Sequence, residues 1–275
     1  MQEWNGSVAF ITGGGRGIGL GIARALGKRG ARLALADLDE AALSRSSEEL
    51  SAVTEAETVQ LDVRDRAAFA AAADLVESKL GPVDLLFNNA EIAPKVPVRE
   101  WNYEKWDVAL GVNLNGVING LQTFLPRMIE RGGGGYVVNT ASGAGLVPDS
   151  SVLYTTAKVV GLSESLHREL GEHGIDVSVL CPGPVDTGII HNTSSAGGGI
   201  AVTRQAELTE EAGDFLKNGT SIDAVGETVL AGMEARSLWI HTDDFVRPWL
   251  KARYEALLES FPNSPYAADS PRRHA

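Results

Sequence analysis

Only one cysteine, Cys181, occurs in the 275 residues, and basic side chains are scarce: 24 Lys and Arg stand against 36 Asp and Glu, a formal net charge of -12. A single thiol cannot close an internal disulfide, excludes a multi-cysteine metal site and fits a reducing, cytoplasmic setting. Following Val177-Ser178-Val179-Leu180, it reads as a small buried hydrophobe at a strand end. The shortage of Lys and Arg argues against a nucleic-acid groove or an anionic membrane surface. Met1 to Gly6 hold no basic region and no long apolar run, so neither a signal peptide nor a membrane span is expected. Internal repeats and interdomain linkers are missing too. What remains, 44% hydrophobic and 22% charged residues, is enough for a full core and is not a disordered composition.

Ser7 to Thr12 is a short apolar, β-prone run that reads as a buried parallel strand. It runs into Thr12-Gly13-Gly14-Gly15-Arg16-Gly17-Ile18-Gly19, then an apolar helical pattern through Leu26. A second such strand, Arg32 to Ala36, ends at Asp37. Strand, glycine turn, helix, strand and acid is the pattern of a βαβ dinucleotide unit. Gly13, Gly15, Gly17 and Gly19, with Arg16 and Ile18, would let backbone amides and a helix N-terminus approach a pyrophosphate. Asp37 would accept from both adenine-ribose hydroxyls and repel a 2′-phosphate, which favours NAD. Its other reading is an N-cap for a helix from Ala41 to Leu50, a role Asp39 could also fill. Arg16, a guanidinium in the phosphate loop, is the feature that favours NADP.

The alternation continues. Strands are expected at Glu57–Leu61, Val83–Phe87, Tyr136–Asn139, Ile175–Cys181 and Leu238–His241. Helices are expected over 67–80, 106–128, 154–170, 222–235 and 244–261, Pro248 falling in the first turn of the last. Asp62 would turn the chain near the adenine or accept from its amino group. With Leu38 and Val63 it joins the cofactor-binding set. Asn88 and Asn89 would tie strand ends together. Val108, Val112, Ile118, Leu121 and Leu125 give the 106–128 helix an apolar face, in which Asn113 is an unfavourable residue and Gly116 and Gly120 suggest a kink. Residues 188–220 read as a mobile lid and 262–275 as a flexible tail. The sum is a single α/β domain over 1–261, a doubly wound parallel sheet of about seven strands with helices on both faces.

Tyr154 and Lys158 stand four residues apart, on one face of a helix. An ammonium beside a phenol favours the phenolate, so Tyr154 is expected to exchange a proton nearer neutrality than its free value of about 10. Ser142 lies twelve residues earlier, at a strand end.

Together these segments resemble the short-chain dehydrogenase/reductase family, from Ser7 to about Phe261. The matching pieces are Thr12-Gly13-x-x-x-Gly17-x-Gly19, Asn88-Asn89-Ala90, Asn113, Ser142, Tyr154-x-x-x-Lys158 and Pro182-Gly183-x-Val185-x-Thr187, in order and at the family's spacings. More loosely, residues 112–120 and 253–262 are similar to dehydrogenases acting on benzylic Cα-alcohols of aryl ethers. The resemblance implies a Rossmann-type NAD(P) oxidoreductase and a Ser-Tyr-Lys-Asn tetrad. Tyr154 would be the acid and base. Lys158 would lower its pKa and hold the nicotinamide ribose. Ser142 would fix the substrate oxygen, and Asn113 would bend its helix and hold a relaying water. Asn89, Ala90, Pro182, Gly183, Val185 and Thr187 would flank the nicotinamide end. A homodimer or homotetramer is implied. Where the family has Gly after Asn-Asn-Ala, this chain has Glu91, expected to weaken cofactor binding or reshape the loop through Val98. A substrate pocket of Ala144, Leu146, Val147, Val185 and Ile189 would suit a hydrophobic or aromatic secondary alcohol or its ketone.

Overall fold

Short apolar runs covered on both faces become buried central strands, and more polar or shorter runs become the half-exposed edges of the sheet. In the computed structural model, which describes residues 4–189, 193 and 216–262, these are β1 (Val8–Thr12), β2 (Arg32–Asp37), β3 (Ala56–Gln60), β4 (Leu85–Asn88), β5 (Gly135–Thr140), β6 (Ile175–Cys181) and β7 (Trp239–His241). All pair in parallel, in the order β3-β2-β1-β4-β5-β6-β7. The order reverses between β1 and β4, and a doubly wound sheet opens its crevice at such a point, above the carboxyl ends of the strands.

Alternate residues of each strand feed two cores. Val8 and Phe10 of β1 face one, with Phe69 and Phe124 closing on the ring of Phe10 at centroid distances of 5.8 and 4.8 Å. These rings come from α3 (Arg66–Leu80) and α5 (Gly116–Arg131). Ala9 and Ile11 face the other, covered by α1 (Gly17–Lys28) and α9 (Ile222–Glu234) through Ile22, Leu26, Val225 and Val229. Glycines set the spacing of these two helices. A methyl on Gly21 would collide with the Ile222 carbonyl, and one on Gly226 with the Gly21 carbonyl. The backbones therefore touch, and α1 is held with its N-terminus at the crevice.

Two expected helices are interrupted. The 106–128 segment starts earlier and ends later, as α4 (Tyr103–Leu110), one π turn (Gly111–Asn115) and α5. A π turn holds one extra residue and so rotates everything after it by about 100°. This is why Val117, Phe124 and Met128 are buried while Ile118 is 37% exposed. The 154–170 helix is divided into α7 (Val152–Thr156) and α8 (Val160–Leu170). Lys158 therefore lies between two helices, not on the helix that carries Tyr154. Thr155, Thr156, Val159 and Val160 are β-branched and hold the helix weakly. The remaining elements are α2 (Glu40–Leu50), the short α6 (Gly143–Leu146) and α10 (Arg247–Glu259), with Pro at the start of α10 as expected. Among the described residues no helix is long and apolar enough to cross a membrane. Most of the 188–220 segment, including His191, and all of the tail beyond Pro262 lie outside the described residues.

Candidate active site

The crevice is stitched together by hydrogen bonds between strand ends. The hydroxyl of Thr12, at the end of β1, accepts from the amides of Asn89 (2.9 Å) and Ala90 (3.0 Å). The side-chain amide of Asn89 donates back to the Thr12 carbonyl (3.1 Å), and its oxygen accepts from Thr140 at the end of β5 (3.2 Å). Asn88 donates to Asn139 (2.9 Å), which donates to Ser163 of α8 (3.1 Å). The two asparagines thus span β1, β4, β5 and α8. The Asn89 amide, bonded at both ends, fixes the geometry of this edge, because losing a buried partner would cost about 1–3 kcal/mol.

A cavity of about 370 Å³ opens along this edge. It is lined by Gly13, Arg16, Gly17 and Ile18 of the glycine turn, by Asp37, Leu38, Asp62 and Val63 beyond β2 and β3, and by Asn89, Ala90 and Thr187. Gly13 has φ 65°, and a Cβ there would lie 3.0 Å from the Ala90 Cα. The third-turn glycine, Gly19, packs against the Gly13 carbonyl, where a methyl would collide. Glycine backbone, a helix N-terminus and a carboxylate at the end of β2 fit a dinucleotide, with its pyrophosphate at α1 and its adenosine toward Asp37.

The two readings of Asp37 now separate. Asp39 caps α2, accepting from Ala42 N at 3.0 Å. Asp37 instead faces the cavity and accepts from the amides of Gly15 (3.1 Å) and Asp39 (3.0 Å). Arg16 is ion-paired with Asp39. Asp62 turns the chain as expected but is also gripped by Arg64, whose guanidinium holds its carboxyl below the usual range. Arg64, Ile92 and Val112 line the cavity without having been anticipated. For Arg64 the signal was available, an Arg two residues after an acid in a turn. For Val112 it was not, because the π turn decides which way that residue faces.

Ser142 opens α6 as its N-cap, accepting from Ala144 N at 3.1 Å. The Gly143 amide donates to the Pro182 carbonyl (2.9 Å), joining this turn to the end of β6. Tyr154 meets Ser142 here. Burial pushes the phenol up to about 12, with Asp149 acting in the same direction, while the hydrogen bond with Ser142 pulls it down. The expected shift toward neutrality is therefore reversed in the protein alone. The Lys158 ammonium stands over the face of the Tyr154 ring, 3.6 Å from its centroid. Its side chain is 2% exposed, and burial pushes it well below its ordinary value. Glu91 closes on it as an ion pair, its own side chain 12% exposed.

Asn113 sits in the π turn, buried, with its side chain fully committed. Its oxygen accepts from Ile92 N (2.9 Å) and its amide donates to Ile92 O (2.8 Å). Through these bonds the amide clamps the loop that follows β4. Thr193 does the same from the far side, accepting from Ala93 N at 2.8 Å. Of the expected substrate-pocket residues, Leu146 and Val185 are buried in the cores, and Ile189 lines the cavity. Pro182 and Gly183 sit at the end of β6, Gly183 N donating to Thr242 (3.1 Å). Cys181 is buried beside them at the end of β6, as expected of it, and burial pushes its thiol up to about 12.

The family model for short chain dehydrogenases matches residues 7–197. The C alpha-dehydrogenase of Sphingobium sp. (strain NBRC 103272 / SYK-6) is 32% identical over 268 residues, 94% of this chain and 88% of that protein. D-threitol dehydrogenase of Mycolicibacterium smegmatis is 38% identical over 191 residues, 68% of this chain and 73% of that one. A short chain dehydrogenase/reductase from Burkholderia phymatum, solved in complex with NAD, is 31% identical with a TM-score of 0.89, covering 98% of this chain and all of the other. The chain belongs to the short-chain dehydrogenase family, whose members bind nicotinamide dinucleotides. It is an oxidoreductase acting on CH–OH groups.

Proposed function

We propose that this enzyme interconverts a hydrophobic or aromatic secondary alcohol and its ketone, with NAD as hydride carrier. The observation that carries the reading is the meeting of Tyr154 with Ser142 under the Lys158 ammonium, beside the dinucleotide cavity. When bound, NAD would supply the acceptor for the hydride leaving the carbinol carbon. Everything else falls to the chain. Ser142 donates to the substrate oxygen and holds it against Tyr154. The Tyr154 oxygen takes the alcohol proton in oxidation and returns it in reduction. Lys158 stabilises the phenolate from across the ring and reaches the nicotinamide ribose. Asn113, its side chain spent on Ile92, contributes through the π turn, leaving its main-chain carbonyl to hold a relaying water. Pro182, Gly183, Val185 and Thr187 flank the nicotinamide. The resemblance of residues 112–120 and 253–262 to dehydrogenases of benzylic Cα-alcohols, beside the similarity to a C alpha-dehydrogenase, supports an aromatic, benzylic-type substrate. We read residues 1–261 as one catalytic domain in the cytoplasm, assembled as a dimer or tetramer through α5 and α8.

The preference for NAD rests on Asp37, at the end of β2 and facing the cavity, with Arg16 drawn away onto Asp39. A 2′-phosphate would place like charge within about 4 Å of Asp37, worth on the order of 1–4 kcal/mol. Asp37→Ser is therefore expected to lower kcat/KM with NAD about tenfold and raise it with NADP at least tenfold. Initial rates with both cofactors on one secondary alcohol check this. A wild type already faster with NADP would end the assignment. The wider reading is tested by a panel of benzylic, aliphatic and polyol secondary alcohols, followed at the NADH absorbance. Turnover confined to polyols would overturn it.

A further inference from the structure

Glu91 is the one residue of the site that works against the chemistry assigned to its neighbours. Its carboxylate lines the cavity and is in contact with the Lys158 ammonium, which on the proposed reading receives the ribose hydroxyls, at the position where the family resemblance implies glycine. This is not an exposed side chain on a loose loop. The Asn113 amide grips Ile92, the next residue, through two hydrogen bonds of 2.8 and 2.9 Å. Thr193 grips the amide of Ala93 beyond it. The loop is pinned on both sides, and Glu91 is delivered to Lys158 by the same asparagine that belongs to the tetrad.

Two titratable neighbours of Lys158 besides Glu91 are Tyr154 and Cys181, and Asp149 acts on Tyr154. Cys181 is held as the neutral thiol by burial. Glu91 is therefore the carboxylate in contact with the ammonium, and a buried ammonium without a counter-charge is costly. A ribose hydroxyl approaching Lys158 has to compete with that carboxylate.

We propose that Glu91 is a latch on Lys158: it neutralises the ammonium in the resting enzyme, and the nicotinamide ribose has to displace it to bind. The proposal rests on the dinucleotide reading of the cavity and goes beyond it. It makes Glu91 a positioning residue that sets cofactor affinity through Lys158, not a catalytic residue. The latch opposes only ligands that carry a nicotinamide-side ribose. ADP fills the adenosine and pyrophosphate part alone and should not feel it.

The test is a set of equilibrium dissociation constants, by calorimetry, for NADH and for ADP. NADH is chosen because its nicotinamide is uncharged, so a carboxylate gains no attraction to the ring. Glu91→Gln is expected to tighten NADH about tenfold while ADP stays within about twofold. Glu91→Gly, the family's own residue, should do the same and serves if the Gln variant folds poorly. In a Lys158→Met background, Glu91→Gln should move the NADH constant by less than about twofold, because there is nothing left to latch. NADH affinity unchanged or weakened by both Glu91 substitutions, with ADP binding intact, would overturn the latch. An equal gain in the Lys158→Met background would overturn it too, by making Glu91 a general repeller of the ligand. If the unaltered protein binds no ADP, the dinucleotide reading itself fails.

Discussion

Tyr154→Phe is expected to lower kcat for alcohol oxidation by about 10³-fold, while the NADH dissociation constant changes by less than about threefold. The substitution removes only the oxygen. The ring under Lys158 remains, so the cation–π contact at 3.6 Å and the packing around it survive. A general base within reach of the substrate oxygen is worth about 10²–10⁴-fold, which sets the size of the loss. The pH dependence has a definite sign. Burial pushes the phenol up to about 12, so at working pH the reactive phenolate is the minor form, and its fraction rises tenfold per pH unit. Oxidation, which needs the phenolate, should therefore climb with pH, log kcat/KM rising with a slope of up to about one between roughly pH 7 and 9. Ketone reduction needs the phenol and should not climb with it. A Tyr154→Phe enzyme that kept both the rate and the slope would show that another group moves the proton.

Gly21→Ala should cost the fold about 2 kcal/mol or more, seen as a fall in Tm of roughly 5 °C or greater. Two effects compete. Alanine in a helix interior gains about 1 kcal/mol over glycine, which alone would raise Tm. Against this, the new methyl meets the Ile222 carbonyl, a backbone atom that can yield only if α1 and α9 move apart. Separating them loosens the Ile22, Leu26, Val225 and Val229 layer, and this loss of packing outweighs the helical gain. Gly21→Val, which adds bulk without the helical gain, should be worse. Because α1 carries the phosphate-facing N-terminus, NADH binding should weaken along with Tm. A stabilised Gly21→Ala protein would refute the close contact.

How much of this was legible depended on whether a neighbour or a distant segment decided the conformation. The central strands could be read because they are local apolar runs closed by glycine or a polar turn, and a buried strand needs little else; the edge strands β3 and β7 followed from the alternation of strands and helices. Asp39 could be read as a cap for the same reason, bonding an amide three residues on. Tyr154, Lys158 and Ser142 were found by spacing, and they do meet. What could not be read is how. The helix break at residues 157–159 falls among β-branched residues, a local signal that spacing alone ignores, and the π turn around Asn113 goes with contacts to Val63 and Ile92, which lie far off in the chain. Periodicity carries no trace of them. The phenol's direction of shift was missed because proximity of charge is visible in a sequence and burial of a single oxygen is not.

The seam between Thr12 and Asn89 has a wider consequence. Its partners stand 77 residues apart along the chain, and they meet only once β4 has docked beside β1. The groove therefore needs the two halves of the sheet to be paired and exists in neither half alone. Heating should destroy catalysis and tertiary order along a single curve, and a fragment ending before β4 should hold no nucleotide at all.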